Sequence, residues 1–240
     1  YDCLGSIAHC RMLGKIGILE DKEVEKTIGI LEEIIDKETL EILPNQEDCH
    51  TAIENYLTEK LGDIGKKIHT ARSRNDQILT ALRLYYLDKI DDCRNFVEGF
   101  NFSLKELSIK YGTTPLPGYT HMRKAMPSSL SLWCQAFIES SEDNIILLNA
   151  SKSLMDQSPL GTAAGYGVPM KLDRKFTSDE LGFSRIQKNP IYAQISRGKF
   201  EVTLIHSMGQ MMFDLNKLAS DLILFSMPEF GFFDLPEHFC

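Results

Sequence analysis

The feature that most constrains this chain is a long apolar seam in which the spacing alternates between three and four residues. The seam consists of Leu79, Leu82, Tyr86, Ile90, Cys93, Val97, Phe100, Leu104, Leu107 and Tyr111. This spacing is typical of a helix that packs in a bundle. A helix over residues 75–111 would be about 55 Å long at about 1.5 Å per residue. A compact globule of this size is only about 35 to 40 Å across, so we expect a second face of the helix to pack against other subunits.

Two later segments carry similar apolar faces. The first covers residues 127–157, with Pro127 in the first turn, and the second covers residues 202–222. A connection rich in Gly and Pro separates them. Three long helices with such seams predict a helical bundle.

Shorter helical patterns precede the long ones. The first ends near Gly17, Asp21 is the predicted N-cap of the second, and Asp48 and Gly62 are the predicted ends of the third. No strand alternation of any length is seen. We therefore predict an all-α fold with a small N-terminal helical domain over residues 1–72. A central helical-bundle domain over residues 73–240 would follow, incomplete at its C-terminal end.

Composition excludes several classes of protein. The chain is 43% hydrophobic and 25% charged, with a formal net charge of -8 and no basic run, which argues against nucleic acid as a partner. It has no apolar stretch long enough for a membrane span and no leader at its start, so we expect a soluble cytoplasmic protein. Because the chain begins without Met and stops soon after an aromatic segment, we expect it to be a piece of a longer polypeptide.

The cysteines show no pattern of a metal site. There are six, without a Cys-x-x-Cys pair and without His/Cys spacing of the zinc type: Cys3, Cys10, Cys49, Cys93, Cys134 and Cys240. We interpret them as reduced thiols in the core.

One histidine lies where catalysis is plausible. His121 follows Thr120 in a connection between two long helices, after Pro117 and Gly118, and an imidazole with a pKa near 6.5 exchanges protons near neutral pH. The alternative is that His121 is an ordinary surface or structural histidine of the connection. The residues around it favour catalysis.

Basic residues cluster at predicted helix ends. Arg72, Arg74 and Asn75 precede the longest helix, where free N–H groups and the helix dipole also favour a carboxylate. The alternative is a capping motif in which Ser73 or Asn75 caps the helix. Arg197 opens the last long helix in a similar way. Together these clusters indicate a small polyanionic substrate.

A glycine-rich run at residues 161–167 has no strand before it and no Lys-Ser/Thr after it, so we do not interpret it as a nucleotide-binding site.

Two motifs make the chain similar to a known family. The runs HTARSRNDQ at residues 69–77 and PGYTH at residues 117–121 resemble the argininosuccinate lyases of the fumarase/aspartase superfamily. Shorter matches follow the same order along the chain: YD at 1–2, GSIAH at 5–9, EDCH at 47–50, SPLG at 158–161 and EFGF at 229–232. The resemblance implies an all-helical subunit whose long helices form a homotetramer, with active sites shared between subunits.

The resemblance also implies a reaction and its residues. The reaction is the reversible, cofactor-free and metal-free elimination of argininosuccinate to arginine and fumarate, a step of arginine biosynthesis. His121 matches the family's histidine of proton transfer. Substrate-binding residues are matched by Arg74, Asn75, Thr120 and Arg197. Asp2 and Asp48 match acidic positions near the site.

The chain departs from the family at several places. Arg123 and Met126 stand where the family has glutamines, and Ala71 replaces a common glycine. The family's mobile loop, with the serine usually assigned as general base, is expected beyond Cys240, so we expect these 240 residues alone to be inactive. Two alternatives stay open: a sibling lyase acting on adenylosuccinate, fumarate or aspartate, and a non-enzymatic bundle protein like the lens crystallins of this family.

Overall fold

The structure is a computed structural model that describes residues 1–37 and 40–239. Contacts divide the described residues into two compact units. The first contains residues 1–88 and 154–200, and the second contains residues 89–153 with the described part of residues 201–240. The domain boundary predicted between residues 72 and 73 stays a prediction.

The first unit begins with four helices: α1 (Asp2–Lys15), α2 (Asp21–Asp36), α3 (Cys49–Leu61) and α4 (Asp63–Lys67). The N-cap of α2 is Glu20, in a capping box with Glu23, so the prediction that Asp21 caps this helix is wrong by one residue. The other two predicted ends are confirmed. Asp48 caps α3 by accepting a hydrogen bond from the Thr51 amide at 2.9 Å, and Gly62 ends it with a φ of 60°.

The core of the first unit lies between these helices. Leu13, Leu31, Leu57 and Ile68 are almost completely buried there. Two short helices, α7 (Arg174–Glu180) and α8 (Pro190–Ile195), lie within the Gly- and Pro-rich connection.

The long helix predicted from the apolar seam is present. It is α5 (Arg74–Tyr111), 38 residues and about 57 Å at about 1.5 Å per residue. Its predicted start at residue 75 differs by one position from the observed start. Two more long helices, α6 (Leu130–Met155) and α9 (Lys199–Phe225), complete the set, and a 3-10 turn covers Glu237–Phe239. The predicted all-α class is confirmed.

The second unit also contains a β-hairpin, and here the sequence-based prediction was wrong. Strands β1 (Pro115–Thr120) and β2 (Arg123–Ser129) pair antiparallel, so His121 lies in the hairpin turn. Pro127 is in β2 and not in a helical first turn. The reason is that α6 begins only after the hairpin has closed. At its base, the amide of Leu130 donates to the carbonyl of Thr114 at 3.1 Å.

Buried apolar side chains hold α6 against the second half of α5. Leu104, Leu130, Cys134 and Ile138 form the buried cluster of this unit. Between α6 and α9, Ser140 and Asn144 donate to the carboxylate of Asp214 at 2.7 and 2.8 Å. The unit is therefore a small helical bundle held by apolar packing and by hydrogen bonds between helices.

The cysteines only partly match the prediction of core thiols. The thiols of the described residues are free, and Cys3, Cys10 and Cys134 are buried. Cys49 is exposed and Cys93 is half-buried, so for these two the prediction was wrong. Cys240 lies outside the described residues. Within the described part of the chain, the helices are too short or too polar to cross a membrane.

Candidate active site

The first turn of α5 carries two of the predicted substrate-binding residues. Arg74 is the first residue of the helix, and its Nη1 donates to Oδ1 of Asp48 at 2.8 Å and to Oγ1 of Thr51 at 2.9 Å. The carboxylate of Glu54 lies 3.7 Å from Nη2. Arg74 is thus held against the first turn of α3 by two defined hydrogen bonds, and its charge is partly balanced by acidic neighbours.

Asn75 lies inside α5, so of the two capping candidates, Ser73 and Asn75, it is Ser73 that stands before the helix. The residue before the helix is Ser73, whose Oγ accepts a 3.3 Å hydrogen bond from the Asn75 amide. The side chain of Asn75 is half-buried and has no hydrogen-bond partner among residues 1–37 and 40–239. Its amide group therefore remains available to a ligand at the positive end of the helix dipole.

A buried carboxylate anchors this turn to a distant loop. Asp76 accepts hydrogen bonds from three backbone amides, those of Ser73 (3.0 Å), Gly161 (2.9 Å) and Ala163 (2.8 Å). Burial raises the pKa of Asp76, and the three amides partly offset that effect. Two amides of the glycine-rich run at residues 161–167 are thus already used by the protein itself.

A second buried carboxylate lies next to the first turn of α5. Asp2 accepts from Nε2 of Gln77 with both oxygens, at 2.8 and 3.0 Å. Nδ1 of His50 lies 2.9 Å from Oδ2 of Asp2, but the angles are not those of a directed hydrogen bond. Burial alone would raise the pKa of Asp2, but the contacts with His50, Arg72 and Gln77 outweigh it and hold that pKa below its usual value.

Arg197, the third predicted substrate-binding residue of the first unit, is exposed. It lies in the turn before α9, which begins only at Lys199, so the prediction that Arg197 opens this helix was wrong by two residues. The backbone amide of Arg197 donates to the carbonyl of Gln194 at 3.2 Å, and Gly198 follows with a φ of 84°. This turn leaves the guanidinium free to reach into solvent.

The hairpin presents the predicted catalytic histidine at its tip. His121 and Met122 occupy the two turn positions with φ values of 52° and 61°, flanked by the pair Thr120 and Arg123. Two consecutive positive φ values define a type I′ turn, which matches the twist of the strands. The side chains of Thr120 and His121 are exposed. His121 is therefore held on a short, rigid element with its imidazole open to solvent.

A cleft of about 500 Å³ lies beside the hairpin turn. His121, Met122, Trp133 and Asp221 are among the residues that line it, and Nε1 of Trp133 donates to Oδ2 of Asp221 at 2.9 Å. A cleft of this size is within the range of small-molecule sites. The arrangement offers an imidazole for proton transfer at the edge of a largely apolar cleft.

Aromatic contacts join the hairpin to the segment that follows α9. The ring of Tyr119 lies 5.5 Å from that of Phe230 in a T-shaped arrangement and 6.3 Å from that of Phe232. Such pairs contribute about 0.5 to 1.5 kcal/mol beyond their buried area. The segment that follows α9 therefore braces the strand that leads into Thr120 and His121.

The predicted site residues are distributed over both units. Arg74, Asn75 and Arg197 belong to the first unit, whereas Thr120 and His121 belong to the second. Their roles stay predictions. Sequence reasoning did not predict the contacts of Asp2 with His50 and Gln77, although the YD, EDCH and HTARSRNDQ motifs contain all three residues. In the described ranges, no group of three or more His, Cys, Asp or Glu side chains is arranged to hold a metal ion.

Comparison with known proteins agrees with the motifs. A family model described as "Lyase" matches residues 1–238. The chain is 49% identical over its whole length to the argininosuccinate lyase of Thermotoga neapolitana and 42% identical to that of Xylella fastidiosa, and it covers 61% and 54% of these relatives. The inferred resemblance is thereby confirmed, and the chain spans a little over half the length of the relatives it matches.

A solved structure shows the same fold. EDDS lyase in complex with formate superposes with a TM-score of 0.86 at 24% sequence identity, over 96% of this chain and 46% of that one. At this identity the likeness concerns the fold alone. With a family model that spans residues 1–238, the chain belongs to the lyase family.

Proposed function

We propose that this chain forms part of an argininosuccinate lyase, which catalyses the reversible elimination of argininosuccinate to arginine and fumarate in arginine biosynthesis. The observation that carries the proposal is the 49% identity over the whole chain to an enzyme of that name. The two motifs on which the resemblance rests lie on well-defined elements, the first turn of α5 and the turn of the hairpin.

The residues can be assigned roles in this reaction. His121 transfers a proton, because it has an exposed imidazole beside a cleft. Thr120 contributes a hydroxyl next to it. Arg74, Asn75 and Arg197 bind the carboxylates, and their donors stabilise the negative charge that develops when a proton is removed next to a carboxylate.

We further propose that the protein assembles as a homotetramer in the cytoplasm and acts without a cofactor. Large apolar side chains are exposed along the long helices, among them Phe96 and Ile109 on α5 and Ile205 and Phe213 on α9. Monomeric proteins rarely leave such faces uncovered. Packing these faces between subunits would remove them from water.

The experiment compares the full-length protein with the 240-residue chain. Release of fumarate from argininosuccinate is followed by absorbance, and adenylosuccinate and aspartate are tested in parallel. We expect activity with argininosuccinate in the full-length protein and none in the 240 residues alone, because the matched relatives are longer. Equal turnover by both chains, or a preference for another succinyl compound, would contradict the proposal.

A variant tests the role of the histidine. His121→Asn in the full-length protein should lower kcat by about 10²- to 10⁴-fold, the usual contribution of a positioned acid or base. The matched control is His238→Asn, which changes an exposed histidine of the same unit outside the long helices. A kcat of His121→Asn within a factor of about three of the control would exclude a role in proton transfer.

A further inference from the structure

One buried carboxylate connects the first turns of three helices. Asp2 is the first residue of α1, His50 lies in the first turn of α3, and Gln77 lies in the first turn of α5. Asp2 is 9% exposed, and His50 and Gln77 are also buried. Its two oxygens accept both contacts from Gln77, and one of them also faces His50 at 2.9 Å. Both oxygens of the carboxylate are thus in contact with protein groups.

These contacts converge on Arg74 by two routes. Along α5, Gln77 lies three residues after Arg74, on the neighbouring turn of the same helix face. Along α3, His50 lies two residues after Asp48, the residue that accepts the 2.8 Å hydrogen bond from Nη1 of Arg74. Asp2 therefore touches both helices that determine where the Arg74 guanidinium lies.

Loss of the Asp2 charge would affect the first turn of α3 and the first turn of α5 together. An asparagine at this position would place an NH2 group against the amide donor of Gln77 or against His50, because only one acceptor oxygen would remain. In a buried site such a donor cannot hydrogen-bond to water instead, so it is left without a partner. The first turns of α3 and α5 would then lose a shared acceptor.

We propose that Asp2 is a positioning residue that fixes the first turn of α5, and with it Arg74 and Asn75, against the first turn of α3. For substrate binding the inference rests on the proposed lyase function. Asp2 acts through Gln77 and His50 and does not itself touch the substrate.

Hydrogen exchange on the full-length protein tests the positioning directly and needs no substrate. In Asp2→Asn, peptides that cover residues 49–55 and 74–80 should exchange at least about fivefold faster, since local opening governs exchange. Peptides from α9 should be unchanged. The matched control is Asp179→Asn, whose carboxylate pairs with Lys175 on the exposed surface of α7. Unchanged exchange at both sites in Asp2→Asn would overturn the inference.

Kinetics then separate positioning from a loss of folded protein. Asp2→Asn should raise KM for argininosuccinate by about fivefold or more with kcat within about threefold, because pre-arranged carboxylate binding is lost. Gln77→Leu should act similarly, and the double variant should have a KM no higher than the larger single effect, since both break one network.

The outcomes keep the two proposals apart. A lower kcat with unchanged KM, or additive effects in the double variant, would mean that Asp2 serves only stability and would overturn the positioning role. A wild-type protein without activity on argininosuccinate would overturn the proposed function. In that case hydrogen exchange still decides whether Asp2 holds the first turn of α5.

Discussion

At the scale of single residues, His9 illustrates how burial decides a protonation state. Its side chain is 1% exposed, and its Nε2 lies 3.0 Å from the carbonyl oxygen of Thr70, so the neutral ring carries its proton on Nε2. Burial lowers the pKa of His9 to about 3, and the nearby charge of Arg72 adds to this effect. The imidazole is therefore a neutral structural donor that joins α1 to the segment before α5.

This histidine should make stability depend on pH. Because the pKa of His9 is lower in the folded than in the unfolded state, its contribution is present above about pH 6.5 and is lost as pH falls toward 3. Between about pH 5.5 and 4, the free energy of unfolding should fall by nearly 1.4 kcal/mol per pH unit from this group, about the full effect of one proton. Urea unfolding of wild type and His9→Gln at several pH values measures it.

The glutamine variant serves as its own control. Gln can still donate to the Thr70 carbonyl but does not titrate. Other titrating groups contribute equally to both proteins, so the difference between the two pH profiles isolates His9. Parallel profiles would show that the pKa of His9 is the same in the folded and unfolded states and would contradict the prediction.

At the scale of elements, long regular patterns were easier to predict than short irregular ones. The apolar seam predicted α5 to within one residue, because ten apolar positions repeat with the helical period. The hairpin was missed, because Pro117, Gly118 and Pro127 are typical of loops and its turn is His-Met in place of the usual Asn-Gly. The one weak signal was His121 itself, since histidine is among the residues that tolerate a positive φ.

A glycine in the first strand tests how closely the hairpin strands must approach. A Cβ at Gly118 would lie 2.8 Å from the backbone oxygen of Met126, so Gly118→Ala must push the strands apart. We expect kcat of the full-length protein to fall by about tenfold or more, because small displacements of catalytic groups are costly.

The matched control for this variant is Gly29→Ala. Gly29 lies inside α2, away from the long helices, and a Cβ there meets no atom within 4 Å. This change should raise the free energy of unfolding by about 0.5 to 1 kcal/mol through helix propensity, with unchanged kcat. Wild-type activity in Gly118→Ala would show that the close approach does not matter for catalysis.

At the scale of the whole molecule, the sequence indicated candidate site residues but not the contacts between distant residues. Arg74 and His121 were proposed because each lies in a compact motif, and their roles stay predictions. The contact between Asp2 and Gln77 joins residues 75 positions apart, and it depends on how α1 packs in the first unit. Local patterns carry no information on such pairs. The motifs also gave no indication that the predicted site residues belong to two different units.

The exposed apolar faces provide a test of assembly. Ile205 and Phe213 are 67% and 65% exposed on α9, so the double change to Glu should prevent the helices of different subunits from packing. In the full-length protein we expect light scattering to show a shift from tetramer to smaller species. Tyr166→Glu is the control, since this side chain is 85% exposed but lies off the helices. An intact tetramer in the double variant would place the interface elsewhere.

The carboxylate of Asp76 has a consequence for how sequences of this kind can diverge. All three of its partners are backbone amides, so it recognises the path of the chain and not the identity of the side chains it meets. Residue 163 is thus open to replacement wherever the same path can be adopted, whereas the hydroxyl of Ser73 also accepts from the Asn75 amide. Asp76 has no such latitude, because no neutral side chain can accept from three amides at once. Among related sequences, we therefore expect the residues of the loop at 161–163 to vary while Asp76 is retained.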